Sequence, residues 1–194
     1  MYDIEGVILA GGRASRMGGN DKGLVLLNGK PLYQYVQDAL APQVTRLSIN
    51  ANRNISIYQR SGLSVFPDVL NDYPGPLAGM LSGLQQSHHE WVVFAPCDVP
   101  FIPTDIVHHL WTYKADKKAA YIFDGSRAHP TIALLHRSLT SPLINYLERG
   151  ERKLMIFLEQ CEAQRITYPK EECFINFNTY EECLRCEQRL KEQK

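Results

Sequence analysis

Short apolar runs alternate with longer amphipathic segments along the first 113 residues of the chain. The runs have the length and nearly continuous hydrophobicity of strands buried on both faces of a parallel sheet. They predict strands at residues 6–10 (GVILA), 46–51 (RLSINA), 64–68 (SVFPD) and 91–98 (WVVFAPCD), and helices at 31–41, 77–86 and 104–113. Pro31 suits the first turn of the first helix, and Thr104 can cap the third. This alternation predicts right-handed βαβ crossovers in a three-layer α/β fold.

The second half of the chain has a less regular pattern. Two strands are expected at residues 119–123 (AAYIF) and 131–136 (TIALLH), on either side of an Asp-Gly turn, and two helices follow them. Residues 174–177 (FINF) predict a last short strand before a C-terminal helix at 179–192. We expect a mostly parallel, mixed central sheet in a single domain, because no linker, repeat or low-complexity segment divides the chain.

The composition narrows the class of partner. The chain has 21 basic and 21 acidic residues, a balance that disfavours nonspecific binding to nucleic acid or to an anionic membrane. Its five cysteines are an odd number, which predicts reduced thiols in a cytoplasmic protein. The N-terminus lacks the pattern of a signal peptide, and no run approaches the roughly 20 apolar residues of a membrane-spanning helix.

A loop rich in glycine and arginine, LAGGRASRMGGNDKG, follows the first predicted strand. Gly11 and Gly12 would let backbone N–H groups approach phosphate oxygens. Arg13, Arg16 and Lys22 add three cations, and the planar guanidinium suits phosphate oxygens especially well. Both the Walker pattern and the G-x-G-x-x-G fingerprint are absent from this loop. A surface turn with solvated arginines is the alternative interpretation of the loop taken alone.

Two carboxylates at strand ends favour a nucleotide site. Asp68 ends the third predicted strand and Asp98 the fourth, at the edge of an open α/β sheet where ligands bind. Magnesium prefers such oxygen ligands and typically takes one or two carboxylates together with substrate phosphates and waters. An aspartate at a strand end could instead form a turn or cap a helix. For Asp98 this alternative is weaker, because Thr104 is expected to cap the following helix.

Two further segments carry candidate ligand contacts. DYPGPLAGMLSGL places Gly75 and Gly79 at the start of a helix, where N–H groups can bind an anion. Asn176 and Asn178 alternate in FINFNT and would share one face of the predicted last strand. Asn178 could equally cap the C-terminal helix.

Two other groups of residues are not expected to be catalytic. His129 and Arg127 lie close together in DGSRAHPT, but no carboxylate is expected nearby, which argues against acid–base catalysis. Cys183 and Cys186 have the C-x-x-C spacing, but they lie in a predicted helix without a second cysteine pair. A zinc or redox role is therefore disfavoured for them.

With LAGGRASRMGGNDKGL, PD at 67–68, YPGPLAGMLSGL, APCDVP and NFNT in this order, the chain closely resembles the MobA-type molybdenum cofactor guanylyltransferases over essentially its whole length. Such enzymes join the GMP part of GTP to the terminal phosphate of molybdopterin and release pyrophosphate. The resemblance implies a Rossmann-like nucleotidyltransferase domain spanning residues 1–194, in which about residues 1–100 bind the nucleotide and about 101–194 the acceptor. It also implies Mg²⁺ as cofactor, GTP and molybdopterin or molybdenum-molybdopterin as partners, and transient contacts with cofactor-delivery proteins and molybdoenzyme chaperones.

The resemblance, together with the loop, assigns roles to particular residues. Lys22, Asp98 and Arg16 would be catalytic, with Asp98 as the magnesium ligand. GTP would contact Leu9, Ala10, Gly11, Gly12, Arg13, Lys22, Asn50, Asp68 and Asp98. The acceptor would contact Arg16, Gly75, Gly79, Asn176 and Asn178. Two alternatives stay open, a cytidylyltransferase acting on molybdopterin or a sugar phosphate, and a noncatalytic GTP-binding adaptor. The adaptor is disfavoured because it has little need of a carboxylate that holds a metal.

Overall fold

The computed structural model of the chain describes residues 2–11, 21–70, 75–177 and 182–185. The strands, in chain order, are β1 (Ile4–Leu9), β2 (Leu26–Leu27), β3 (Lys30–Pro31), β4 (Arg46–Asn50), β5 (Ser64–Phe66), β6 (Trp91–Pro96), β7 (Ala119–Phe123), β8 (Ala128–His136) and β9 (Gln164–Thr167). The helices are α1 (Leu32–Leu40), α2 (Ile55–Tyr58), α3 (Pro76–Gln86), α4 (Ile106–Tyr113), α5 (Thr140–Glu148) and α6 (Leu154–Gln160). None of the helices in these ranges is long and apolar enough to cross a membrane.

Seven of the strands form one central sheet in the order β5-β4-β1-β6-β8-β7-β9. The pairs β5-β4, β4-β1, β1-β6 and β7-β9 are parallel, whereas β8 runs antiparallel to both of its neighbours. The predicted mostly parallel, mixed sheet is therefore confirmed. The sequence analysis missed the hairpin of β2 and β3, whose two-residue strands are too short to produce a period-2 pattern.

Both faces of the sheet are covered by helices, because the strands are apolar at successive positions and successive side chains point to opposite faces. Ile4 and Ile8 of β1 pack in one core with the apolar faces of α1 and α4. Val7 and Leu9 of the same strand pack in a second core with α3, α5 and α6. The three-layer architecture expected from the alternating pattern is confirmed.

Strand β9 is the last strand that the described residues form, so the strand predicted at residues 174–177 is wrong. Residues Glu171–Phe174 form a 3₁₀ turn, and 175–177 continue without strand pairing. Strand β9 has a single buried residue, Ile166, because it lies at the sheet edge. A short edge strand of this kind gives almost no apolar run in the sequence, whereas Phe174 and Phe177 are buried in an irregular segment.

The predicted helix cap at Thr104 is also wrong. Helix α4 begins at Ile106, and Asp105 occupies the N-cap position without a side-chain capping hydrogen bond. Its carboxylate instead accepts a hydrogen bond of 2.8 Å from the Tyr168 hydroxyl, which ties the start of α4 to the segment after β9.

The order of the strands creates a crevice beside the end of β1. The chain runs from β1 outward to β4 and β5 on one side and later returns to β6 on the other side. In open α/β sheets, ligands bind beyond the carboxyl ends of the strands where the order reverses in this way. The residues that follow β1, β4 and β6 therefore form the candidate site.

Candidate active site

A carboxylate, an ammonium group and an amide meet at the end of β6. Lys22 Nζ donates to Asp98 Oδ2 at 3.4 Å, and Asn176 Nδ2 donates to Asp98 Oδ1 at 3.0 Å. The Asp98 side chain is 11% exposed, whereas that of Lys22 is 35% exposed. Three of the predicted site residues, separated by 76 and 78 positions in the sequence, are thus brought into direct contact.

The backbone around Asp98 is fixed on both sides. The Cys97 N–H donates to the Leu9 carbonyl at 3.1 Å, and the Phe177 N–H donates to the Asp98 carbonyl at 2.9 Å. Burial raises the pKa of the Cys97 thiol well above its ordinary value, and the carboxylates of Asp98 and Asp21 raise it further. Cys97 therefore stays a neutral thiol, and the carboxylate beside it provides the charge of the site.

Asp21 anchors the segment that carries Lys22, although the sequence analysis gave Asp21 no role. Its buried carboxylate accepts hydrogen bonds from the Gly23 N–H at 3.2 Å, Asn54 Nδ2 at 3.1 Å and the Tyr58 hydroxyl at 2.6 Å. Burial, together with the nearby Asp21 carboxylate, raises the pKa of Tyr58, so its hydroxyl stays a donor. The Asp immediately before Lys22 was the available sequence signal, because an aspartate can accept from the N–H two residues later.

Asp68 is braced by two asparagine amides. Asn50 Nδ2 donates to one carboxylate oxygen at 2.9 Å, and Asn52 Nδ2 donates to the other at 2.8 Å. Asn52 also accepts from the Asp68 N–H at 2.7 Å and donates to the Gly11 carbonyl at 3.2 Å. The predicted pair Asn50 and Asp68 is therefore in contact, and the sequence analysis missed Asn52, which joins that pair to the loop after β1.

Two of the predicted site glycines face the amide of Asn50. A Cβ added at Gly11 would lie 3.1 Å from Asn50 Oδ1, and one added at Gly79 would lie 2.3 Å from the same atom. The Ala10 N–H donates to the Asn50 carbonyl at 2.8 Å, so that N–H is committed to the protein rather than to a phosphate. Gly75 precedes α3 in the N-cap position with φ of 117°, a conformation that favours glycine.

Some predicted site residues lie outside the described ranges. These residues are Gly12, Arg13, Arg16 and Asn178. Their assigned contacts with GTP and acceptor stay predictions, as does the capping role of Asn178.

Asp98 suits a magnesium ion that arrives with its nucleotide. Among the described residues, no group of three or more His, Cys, Asp or Glu side chains could hold a metal ion on its own. Magnesium usually takes only one or two protein carboxylates and fills its other positions with phosphate oxygens and waters. The donor chemistry of Asp98, a carboxylate of which 11% is exposed, fits that requirement.

The expectation that His129 and Arg127 have no carboxylate nearby is wrong. The Asp124 side chain is fully buried, and Asp124 Oδ2 lies 2.6 Å from His129 Nε2 and 3.7 Å from Arg127 Nε. The N–H groups of Ser126 and Arg127 both donate to Asp124 Oδ1 at 2.7 Å. Burial alone would raise the pKa of Asp124, but the hydrogen bonds from Arg127, His129 and Ser126 outweigh it and lower that pKa. The Asp-Gly turn brings the carboxylate back over residues 126–129, an effect that the strand pattern does not reveal.

The chain is similar to known nucleotidyltransferases in sequence. A family model described as the MobA-like NTP transferase domain matches residues 6–164. The molybdenum cofactor guanylyltransferase of Yersinia pestis (strain Pestoides F) is 55% identical over 192 residues, which cover 98% of each chain. The protein of the same name from Yersinia pseudotuberculosis (strain IP 31758) has the same identity and coverage.

Solved structures share the fold. Molybdopterin-guanine dinucleotide biosynthesis protein A from Archaeoglobus fulgidus superposes with a TM-score of 0.75 at 24% identity, covering 97% of this chain and 99% of that one. The 4-diphosphocytidyl-2C-methyl-D-erythritol synthase from Anaerococcus prevotii superposes with a TM-score of 0.77 at 11% identity, covering 98% and 96%. Because a cytidylyl enzyme shares the architecture, the fold alone does not select the base of the nucleotide.

Proposed function

The chain belongs to the MobA-like NTP transferase family and is therefore a nucleotidyltransferase, and we propose that it transfers GMP from GTP to the terminal phosphate of molybdopterin. The products are pyrophosphate and the molybdopterin guanine dinucleotide. The choice of GTP and molybdopterin is supported by the 55% identity to proteins named molybdenum cofactor guanylyltransferase.

The contact of Lys22 and Asp98 at the end of β6 is the observation that carries the proposal. An ammonium group and a carboxylate 3.4 Å apart combine a partner for phosphate oxygens with a ligand for a divalent cation. The pair stands at the reversal of strand order, where nucleotides bind in folds of this kind. An adaptor would need the cation to hold a phosphate, but not the carboxylate.

The reaction would need positioning and charge neutralisation more than acid–base chemistry. A terminal phosphate oxygen of molybdopterin attacks the α-phosphorus of GTP, and a new P–O bond forms as the bond to the pyrophosphate leaving group breaks in line. The attacking oxygen is already anionic at neutral pH, so no general base has to remove a proton. Lys22 binds the triphosphate and neutralises charge that accumulates on the leaving pyrophosphate.

A magnesium ion held by Asp98 would supply Lewis-acid stabilisation of the phosphate oxygens. Asp98 is suited to hold it because Asn176 donates to the carboxylate oxygen that Lys22 does not contact, and the Phe177 N–H fixes the backbone of the residue. Lys22 can exchange its contact with Asp98 for the incoming phosphates, since more than a third of its side chain is already exposed.

Asn50 and Asp68 would hold the nucleoside. Both oxygens of Asp68 already accept one amide N–H each, but a carboxylate oxygen has further lone pairs and can also accept from a hydroxyl. The brace from Asn50 and Asn52 fixes the carboxylate before the nucleotide arrives, which lowers the entropic cost of binding.

The direct test is incubation of the protein with GTP, Mg²⁺ and molybdopterin, followed by mass analysis for the dinucleotide and measurement of released pyrophosphate. Competition among GTP, CTP, ATP and UTP assigns the base. A preference for CTP would replace the guanine assignment with the cytidylyltransferase alternative. Absence of pyrophosphate release with molybdopterin would contradict the proposal and favour the adaptor.

Two variants test the proposed roles within the site. Asp98→Asn keeps the shape of the side chain and removes its charge, and we expect it to lower turnover at least about 100-fold. Lys22→Met should weaken GTP binding as well as turnover. The matched controls are Lys117→Met and Glu162→Gln, because Lys117 is 36% exposed and pairs with Glu162 at 2.8 Å at the opposite end of the sheet. Equal activity of Asp98→Asn and Glu162→Gln would remove Asp98 from the mechanism.

A further inference from the structure

Asp124, Arg127 and His129 form a second charged cluster beyond the site already described. The cluster follows strand β7, and its carboxylate is buried beneath the two side chains it pairs with. His129 is only 6% exposed and packs against the ring of Phe174. The Arg127 side chain, in contrast, is 56% exposed. The cluster thus consists of a buried carboxylate and imidazole, together with a guanidinium that reaches the surface.

The guanidinium of Arg127 is held in place by two contacts. Its Nε lies 3.7 Å from Asp124 Oδ2, and its Nη2 donates to the Phe174 carbonyl at 3.3 Å. A guanidinium has five N–H donors in a planar fork, so these two contacts leave donors that face outward. An arginine fixed in this way loses less side-chain entropy when it binds an anion than a solvated arginine does.

The cluster lies at the same edge of the sheet as Asp98. Strands β6 and β7 both run antiparallel to β8, so their carboxyl ends emerge at the same edge with β8 between them. The segment from Phe174 to Phe177 also joins the two places, because Phe174 accepts from Arg127 and Phe177 donates to the Asp98 carbonyl. Three residues of chain span at most about 11 Å.

Lys22 contacts Asp98 directly, whereas Arg127 is joined to it only through the segment 174–177. Lys22 reaches one carboxylate oxygen directly, whereas the segment that contacts Arg127 reaches the other oxygen through Asn176. In-line transfer requires the attacking group to approach the phosphorus opposite the leaving pyrophosphate. An anion held by Arg127 would stand at the same edge of the sheet as a triphosphate held by Lys22, as transfer between the two requires.

We propose that Arg127 binds the phosphate monoester of the acceptor substrate, and that Asp124 and His129 are positioning residues that hold the guanidinium in place. The proposal rests on the proposed function, since it assigns the acceptor side of the same reaction. The planar guanidinium is well matched to the oxygens of a phosphate. Asp124 fixes the direction of the guanidinium, and His129 fixes Asp124 from the buried side.

Arg127→Gln is the first test, and Arg46→Gln is its matched control. Arg46 is 52% exposed and its Nε lies 3.9 Å from the buried Glu5 carboxylate, but it stands at the start of β4, at the other end of the sheet. At saturating GTP and Mg²⁺, we expect Arg127→Gln to raise the KM for molybdopterin about 10-fold or more, as for loss of hydrogen bonds to a charged group. The affinity for GTP measured without acceptor should stay within about twofold of wild type.

A double-variant cycle separates positioning from general stability. Asp124→Asn should raise the KM for molybdopterin in the same direction, and adding it to Arg127→Gln should raise that KM little further. Arg127→Lys keeps the charge but not the planar fork, and it should fall between wild type and Arg127→Gln. Independent, additive effects of the Asp124 and Arg127 substitutions on KM would overturn the positioning role of Asp124.

Binding of molybdopterin, followed by pterin fluorescence in the presence of the protein without GTP, distinguishes failure of this inference from failure of the proposed function. If wild type makes the dinucleotide but Arg127→Gln has the wild-type KM and affinity for molybdopterin, the inference is wrong and the proposed function stands. If wild type binds molybdopterin without forming the dinucleotide, weaker binding by Arg127→Gln still supports the phosphate site. A parallel loss of affinity for GTP and for molybdopterin in Arg127→Gln would also overturn the assignment of Arg127 to the acceptor phosphate.

Discussion

Gly79→Ala should damage the nucleotide side of the site through Asn50. An added Cβ would lie 2.3 Å from Asn50 Oδ1 and 3.0 Å from Leu9 Cδ2, both well inside ordinary contact distance. The Asn50 side chain cannot yield freely, because it is 1% exposed and its Nδ2 donates to Asp68 at 2.9 Å. The methyl group must therefore displace that amide or shift helix α3 away from β1 and β4.

The opposing contributions to stability give a net loss. Replacing a helical glycine with alanine gains up to about 1 kcal/mol in helix propensity. Overpacking in a dense core typically costs about 1–3 kcal/mol, and loss of a hydrogen bond to a charged group costs about 1.5–3 kcal/mol. We expect Gly79→Ala to lower the free energy of unfolding by about 1.5–5 kcal/mol if both costs apply, and to weaken GTP binding about tenfold if Asp68 loses its brace.

Gly83→Ala is the control, one turn further along α3. An added Cβ there would lie 2.7 Å from Phe94 Cε1, so this substitution also overpacks the core, but against a ring away from Asp68. Urea unfolding gives the stability of both variants, and calorimetric titration with GTP and Mg²⁺ gives their affinities. Both should be destabilised, and only Gly79→Ala should lose affinity. Wild-type GTP affinity in a folded Gly79→Ala protein would refute the coupling through Asn50.

Two tyrosines give further predictions. Tyr58→Phe removes the 2.6 Å hydrogen bond to the buried Asp21 carboxylate, and urea unfolding should show a loss of about 1–3 kcal/mol; unchanged stability would mean that Asp21 is satisfied without it. Burial, and then the hydrogen bond to Asp105, raise the pKa of Tyr168 to about 12 from an ordinary value of 10.0. The contribution of Tyr168 to the free energy of unfolding is therefore present below pH 10 and is lost as the pH rises to about 12. The stability difference between wild type and Tyr168→Phe should shrink over that range, and a constant difference would contradict the burial of a neutral hydroxyl.

The sequence predicts the strands of the first half of the chain well, and three of them, β1, β4 and β6, are central in the sheet. Strand β6 is buried at four of its six positions, so its apolar run stands out and ends two residues before Asp98. The edge strand β9 lacks such a run, whereas the apolar residues at 174–177 wrongly predict the last strand there. Hydrophobic periodicity reports burial, so it identifies a strand most clearly where the strand is buried. The edge strand β5, with one buried residue, is nevertheless predicted at 64–68.

The residues of the candidate site divide in the same way, into those that the sequence indicates and those that it does not. Lys22, Asp68 and Asp98 stand out in the sequence because each is a charged residue next to a predicted strand end or loop, and their roles stay predictions. Asn52 and the Asp124 carboxylate were missed because their roles depend on turn geometry and not on the strand pattern. The Asp-Gly sequence predicts a turn at Asp124. The hydrogen-bond partners of the Asp124 side chain, however, depend on the backbone conformation of that turn.

The charges of this edge explain why a divalent cation should accompany the nucleotide. The carboxylates of Asp21, Asp68, Asp98 and Asp124 stand here in the described ranges, together with the cations Lys22, Arg53 and Arg127. Asp21 and Asp68 are satisfied by neutral hydroxyl, amide and backbone donors, which stabilise them without cancelling their charge. With the two arginines predicted in the first loop, five cations would offset these four carboxylates and leave one positive charge, whereas a triphosphate brings several negative charges of its own. The donors therefore organise the site, while the charge of the triphosphate itself favours a divalent cation that enters with the substrate.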